Sequence, residues 1–156
     1  MVYKGALNRA KQKYNERFDE LTAPLMEAGE QRVAGTYAKS GPSPWLLGGL
    51  LGYFTGQHWY FIEVTDRRVL FVRDVRNPAK RLAWADPRDS VKIHDAHWTD
   101  LWSKFWYRRP DGQDIRINVQ KLWREDAQAV VDALTSEPQQ PLVPQSEAER
   151  EVVSRR

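Results

Sequence analysis

The stretch that decides the fold runs from Tyr60 to Arg73 and reads YFIEVTDRRVLFVR. Residues 60–65 and 68–73 are rich in β-branched and aromatic side chains, and only Asp66 and Arg67 separate them. Two such runs joined by two polar residues typically pair as antiparallel strands across a tight turn. We therefore predict a β-hairpin here, in a domain built around an antiparallel sheet.

Further short runs of strand-like composition lie on either side of this hairpin, with turn-forming residues between them. The clearest corner is Pro110-Asp111-Gly112, where proline presets the first turn residue and glycine takes the left-handed position. The sequence predicts strands at residues 31–39, 58–65, 68–74, 80–85, 90–97, 101–109 and 114–119.

Two amphipathic helices are expected to flank the strands. In residues 4–27 apolar side chains recur at helical spacing, and Pro24 indicates that this helix ends near Leu21 or is kinked there. In residues 124–136 acidic residues precede apolar side chains at helical spacing, which predicts a second helix that closes the domain.

The 156 residues divide into an N-terminal amphipathic helix (1–29), a β-rich domain (30–136) and a polar tail (137–156). We expect the tail to be disordered, because it is charged, proline-containing and free of aromatic residues. As a heptad, the first helix would place Lys4 and Lys11 at core positions. We therefore expect a monomer in which this helix packs on its own domain, with a dimer through the helix as the alternative.

The composition excludes several classes of site. Without cysteine, the chain has no disulfide framework, thiolate metal site or cysteine nucleophile. The net charge is only +3, from 24 basic and 21 acidic residues, which is weak support for an anionic partner. Residues 1–9 lack the apolar run of a secretory signal, so we expect a cytoplasmic protein, with a peripheral position at the inner membrane surface as an alternative.

The hairpin sequence VTDRRVLFV, residues 64–72, resembles the second and third strands of small bacterial pleckstrin-homology-like (PH-like or GRAM-like) domains. The strand-then-helix ending from Asp114 to Leu134 is similar to the end of that fold. Over residues 30–136 the resemblance implies a mostly β, seven-stranded antiparallel PH-like barrel capped by a C-terminal helix, and a binding or scaffolding role. It does not imply phosphoinositide binding, because no Lys or Arg occurs between Lys39 and Arg67, where lipid-binding members carry basic residues.

A first candidate surface is the apolar segment between the first two predicted strands. It is too short to cross a bilayer, but if exposed it would form an interaction patch for a protein partner or a membrane surface. Alternatively, the segment folds back over the barrel. Its apolar residues are Trp45, Leu46, Leu47, Leu50, Leu51 and Phe54.

Two further surfaces are candidates for binding anionic or aromatic groups. One is a basic patch, whose alternative is an ordinary solvated surface. The other is an aromatic face. If side chains alternate along the strand, this face lies on the same side as Lys104 and Arg108, and Leu101, Phe105 and Tyr107 lie on the other side. The alternative is that the N-terminal helix buries the aromatic side chains. The basic patch comprises Arg67, Arg68, Arg73, Arg76, Lys80 and Arg81, and the aromatic face Trp98, Trp102 and Trp106.

Residues for catalysis are not evident. On a strand, His94 and His97 would point to opposite faces, which disfavours a shared metal, and we find no phosphate-binding loop and no nucleophile beside a base. We therefore expect a non-enzymatic PH-like interaction or scaffolding module without a cofactor, which binds a protein partner or a membrane surface. A nucleic-acid-binding module that uses the basic and aromatic residues is the alternative.

Replacing Leu50 and Leu51 together with Asp should abolish binding to lipid vesicles or to a protein partner while leaving the fold intact, because charge removes the apolar contact. Vesicle sedimentation or pull-down measures the binding, and circular dichroism measures the fold. Global unfolding of the variant would instead show that the segment belongs to the core.

Overall fold

The computed structural model describes residues 2–41 and 58–136. The interaction patch between Trp45 and Phe54 and the tail at 137–156 lie outside these residues. The seven strands and two helices agree with the sequence prediction, which is confirmed. They are α1 (Val2–Thr22), β1 (Arg32–Ser40), β2 (His58–Thr65), β3 (Arg68–Val72), β4 (Leu82–Pro87), β5 (Lys92–His97), β6 (Trp102–Arg108), β7 (Asp114–Gln120) and α2 (Arg124–Thr135).

The strands form one antiparallel sheet in the order β4-β3-β2-β1-β7-β6-β5. Strand β1 joins its two halves, because it pairs with β2 along its length but with β7 only through Lys39 and Ser40. The sheet is open and does not close into the expected barrel: β4 and β5 are its edges, and no pairing between them is found in the described residues. Side chains bridge the gap instead, since Tyr107 of β6 donates a hydrogen bond of 3.0 Å to Asp86 of β4.

Strand β2 is buried on both faces, which explains its nearly unbroken apolar sequence. Tyr60 and Ile62 point into the inner core, where side chains of β3, β6, β7 and α2 meet. Phe61 points to the outer face and stacks on Phe18 of α1, with ring centroids 5.1 Å apart. The sheet therefore has an inner core closed by α2 and a smaller outer core under α1.

Helix α1 covers the outer face of β1–β3. It ends at Thr22, and Pro24 lies in a short 3-10 turn, so the predicted stop is confirmed. A Cβ atom at Gly35 of β1 would collide with the Phe18 ring, whose Cζ atom lies 2.7 Å away, so the close approach of the helix requires glycine. The buried apolar side chains of α1 pack on Phe61 and Leu70 and not on the predicted aromatic face, where Lys11 of the helix lines a concavity with Trp102.

The Thr-Asp-Arg-Arg corner of the hairpin is fixed by its own side chains. The Thr65 hydroxyl accepts hydrogen bonds from the backbone N–H groups of Arg67 (3.2 Å) and Arg68 (2.9 Å). The Asp66 carboxylate accepts one from the backbone N–H of Gln31 (2.9 Å). The motif thus shapes the turn and ties it to the chain that leads into β1.

An ion pair between Glu30 and Arg68 joins this corner to the end of α1. Arg68 donates to both carboxylate oxygens of Glu30, at 2.9 and 2.8 Å, and to the Leu25 carbonyl at 2.8 Å. The Glu30 side chain is fully buried. Hydrogen bonding from Arg68 is the main reason that the pKa of Glu30 falls to about 2.

Replacing Glu30 with Gln should lower the free energy of unfolding at pH 7 by about 3 kcal/mol, because Arg68 loses its buried counter-charge. Since the pKa of Glu30 is lowered on folding, its ionisation stabilises the protein above the usual pKa of 4.5, and this contribution is lost as the pH falls towards about 2. The difference between wild type and variant should therefore be constant at neutral pH and shrink below about pH 5. Urea denaturation across pH measures it.

The matched control is Glu27→Gln, since Glu27 also pairs with Arg68, at 3.1 Å, but is 58% exposed. The Glu27→Gln change should lower the free energy of unfolding by less than about 1 kcal/mol. A Glu30→Gln effect that does not change with pH would contradict the proposed role of the ion pair.

Candidate functional site

The outer face of β6 alternates tryptophan with cations. Ser103, Phe105 and Tyr107 are buried in the sheet interior, whereas the residues between them are partly or fully exposed on the opposite face. This follows from the period-two alternation of side chains along a strand. The outward residues are Trp102, Lys104, Trp106 and Arg108.

Neighbouring strands extend this surface on both sides of β6. Trp106 lies opposite His94 of β5 and Arg116 of β7, and Lys104 lies opposite Asn118. The His94 ring stacks nearly parallel to that of Trp106, at 8° and with centroids 6.3 Å apart, and adds a second aromatic ring on the β5 side. We call the whole surface the aromatic–cationic face; its residues are Trp102, Lys104, Trp106 and Arg108 of β6, Lys92 and His94 of β5, Arg116 of β7 and Lys39 of β1.

Two acidic residues on or beside this face are already engaged. Asp114 accepts two hydrogen bonds of 2.8 Å from Arg108 and contacts His94 at 3.2 Å. These bonds, chiefly those from Arg108, hold the pKa of Asp114 well below its usual range. Asp95 contacts His97 at 2.7 Å and Lys104 at 3.5 Å, and hydrogen bonding to His97 lowers its pKa. Both carboxylates thus remain ionised and paired.

Three cations of the face have no acidic partner in the part of the chain that the structure describes. Lys92 is exposed, and the Arg116 guanidinium donates only to the Asn118 side chain, at 3.1 Å. Lys39 lies over the Trp59 ring, 5.7 Å from its centroid, and burial lowers the pKa of its amine. The face therefore has a local surplus of positive charge available for a partner.

A concavity of about 650 Å³ adjoins the face at Trp102. Lys121 and Leu101 also line it, and Leu101 is 70% exposed. The concavity continues the aromatic–cationic surface towards the start of α2.

Trp98 does not belong to the predicted aromatic face. It lies outside β6, packs against the inner core and has its ring centroid 6.4 Å from that of Phe105. The alternation of inward and outward side chains does not extend before β6, because Thr99 forms a local turn. Its backbone N–H donates to the Ser103 hydroxyl at 3.2 Å, and its hydroxyl donates to the Trp102 carbonyl at 2.6 Å. For the same reason Leu101 is exposed and does not share the buried side of Phe105.

The structure does not bring the predicted basic patch together. Arg67 and Arg68 lie at the start of β3, and the other members follow its end, roughly 15 Å away along the strand. Arg68 is bound to Glu30, Arg73 lies over the Tyr60 ring and Arg81 donates to a backbone carbonyl. The members that remain exposed are Arg67, Arg76 and Lys80.

The histidines do not form a metal site with other residues in the described ranges, where no cluster of three ligating side chains occurs. A bulge between His94 and His97 places Asp95 in a left-handed conformation, with φ of 50°. His94 and His97 therefore face different carboxylates: Asp114 for His94 and Asp95 for His97.

Sequence reasoning missed the contributions of Lys39, Lys92 and Arg116 to the face. They come from three strands, and only the pairing register brings them beside β6. A signal was present in the β7 sequence DIRINVQ, where polar residues alternate with the buried Ile117 and Val119.

No family model matches this chain, and no curated protein matches its sequence. Its structure is similar to the crystal structure of the C-terminal domain of an unknown protein from Leishmania infantum, with a TM-score of 0.51 at 10% identity, over 79% of this chain and 99% of that one. At this identity the likeness shows a shared, mostly antiparallel β fold. Neither of the two described helices has the length and apolar character needed to span a bilayer.

Replacing Trp106 with Ala should cost about 1 kcal/mol of unfolding free energy, because the side chain lies on the open face and loses only cross-strand contacts. The adjacent Phe105→Ala change should cost about 3–5 kcal/mol, since Phe105 is fully buried. Urea denaturation of both variants measures the difference. Equal losses would show that Trp106 belongs to the core.

Proposed function

We propose that this protein is a non-catalytic interaction module that binds a negatively charged macromolecular partner through the aromatic–cationic face. The observation that carries the proposal is a group of three cations, Lys39, Lys92 and Arg116, that have no acidic partner among residues 2–41 and 58–136 and lie around two tryptophans of β6. Acidic protein surfaces and anionic membrane headgroups both carry negative charge, which complements the surplus of positive charge on this face.

The use of the buried ionisable groups supports a binding role over catalysis. Glu30 is held by Arg68, Glu63 by Arg32 at 2.5 Å, and the Asp86 carboxylate by Arg109 with two bonds of 3.0 Å. Burial and the negative charge of Asp86 also raise the pKa of Tyr107. These groups are paired within the fold and lie away from the exposed face.

Nucleic acid is a second candidate partner, and the alternation of Trp102, Lys104 and Trp106 specifically favours it. Aromatic rings interleaved with cations can stack on bases while phosphates meet the charges. Binding through the segment from Trp45 to Phe54, and membership in the PH-like family, remain predictions that are compatible with this use of the sheet.

Reversing two charges on the face, with Lys104→Glu and Arg116→Glu together, should weaken binding to heparin, a soluble polyanion, by about 30-fold, since each cation near an anionic surface contributes about 1 kcal/mol and reversal adds repulsion. Isothermal titration at low salt measures the affinity.

The control is Arg76→Glu with Lys80→Glu, which makes the same change in net charge at exposed positions away from the face. It should leave heparin affinity within a few-fold of wild type. Equal weakening by the two pairs would mean that binding reports net charge alone, and the proposed site would be wrong.

A further inference from the structure

We infer that the aromatic–cationic face binds single-stranded nucleic acid, with unpaired bases stacked on Trp102 and Trp106. Arg116 and Lys39 would hold phosphates, and so would Lys104, whose solvent-exposed ion pair with Asp95 at 3.5 Å is weak enough to be exchanged for a phosphate. The inference rests on the proposed function and names the class of partner. It follows from the spacing, the rigidity and the chemical composition of the face.

The spacing provides two stacking positions with a cation between them. Trp102 and Trp106 are four residues apart on the same side of β6, which separates their Cα atoms by about 13 Å. Lys104 lies midway on that side, and Arg116 lies directly across from Trp106. A single strand of nucleic acid that runs along β6 would thus contact the Trp102 ring, the Lys104 ammonium group and the Trp106 ring in that order.

The platform is held in place before any ligand arrives. β6 pairs with β5 on one side and with β7 on the other, and the buried Phe105 and Tyr107 anchor it from below. Little backbone entropy of β6 is then lost on binding, which favours affinity.

The exposed face of a sheet is better suited to unpaired bases than to a duplex. Reading a duplex requires an element that enters a groove, whereas stacking on a side chain requires a base free of its partner. The outward side chains of the face lie on a sheet surface, so single strands fit it better.

The composition of the face disfavours membrane insertion. Apart from the two tryptophans, the outward residues of β6 and β7 that reach solvent are polar or charged and include Asp114 and Gln120. No aliphatic side chain of these two strands points outward to enter hydrocarbon, and the exposed Leu101 beside them is a single leucine. The Gln120 amide would instead find hydrogen-bond partners on base edges or sugars.

The test uses the full chain and a fluorescein-labelled deoxythymidine oligomer of about 12 nucleotides, within the range of known single-strand site sizes. Fluorescence anisotropy is measured as salt rises from about 50 to 200 mM. Trp102→Leu and Trp106→Leu should each weaken binding roughly 5- to 150-fold. Lys104→Ala and Arg116→Ala should each reduce the slope of log affinity against log salt by about 0.7.

Matched controls make the same chemical changes off the face. Trp98→Leu and Arg76→Ala should leave oligomer affinity within a few-fold of wild type, with folding of every variant checked by circular dichroism. If Trp106→Leu does not fold, Trp106→Phe, which keeps a smaller ring, replaces it and should weaken binding to a lesser degree.

Three outcomes would overturn the inference, and they separate it from the proposed function. Unchanged oligomer binding by both tryptophan variants, or equal binding of a duplex of the same length, would reject base stacking. Preference for phosphatidylserine vesicles would assign the face to membranes. In each case, retained dependence of heparin binding on Lys104 and Arg116 would leave the proposed function standing, whereas absence of binding to heparin and to the oligomer would reject both.

Discussion

The buried ion pair between Glu30 and Arg68 is the interaction on which the arrangement of the described chain depends. It connects the turn after α1 to the β2–β3 corner, where the Thr65 hydroxyl also donates to Glu30 at 2.6 Å. The hairpin alone would set the register of β2 and β3 but not the position of α1. Arg68 also donates a hydrogen bond to the carbonyl of Leu25, which follows the helix. This bond helps to fix α1 in one position over the outer face of β1–β3.

This placement makes the two halves of the sheet chemically different. One helix can cover only one half, and α1 covers the half whose outward residues, such as Phe61, Leu70 and Val72, are apolar. The outward residues of β7 are polar, so that half is stable in contact with water without a covering helix. One half of the sheet is covered and the other is open because outward residues of β2 and β3 such as Phe61 and Leu70 are apolar, whereas those of β7 are polar.

Local patterns predicted the fold well, because its elements are specified by neighbouring residues. The hairpin followed from two runs separated by Asp66 and Arg67, and the end of α1 from Pro24. The candidate site depended on long-range pairing and was only partly predicted. Trp102 and Trp106 were placed together correctly by alternation, whereas Trp98 was misplaced, because a turn that precedes β6 interrupts the period.

Arg68 and Arg116 show why the charge of a residue type does not by itself identify a binding surface. Arg68 has an acidic partner within the fold, so its charge stabilises the structure and is not offered to solvent. Among the described residues the Arg116 guanidinium has only the Asn118 amide for a partner, and it lies across from the partly exposed Trp106. A cation that is positioned but not neutralised retains its attraction for an anion outside the fold. Lys39 also has no acidic partner among the described residues and is held on the same sheet, so this attraction is concentrated on one face although the net charge of the whole chain is only +3.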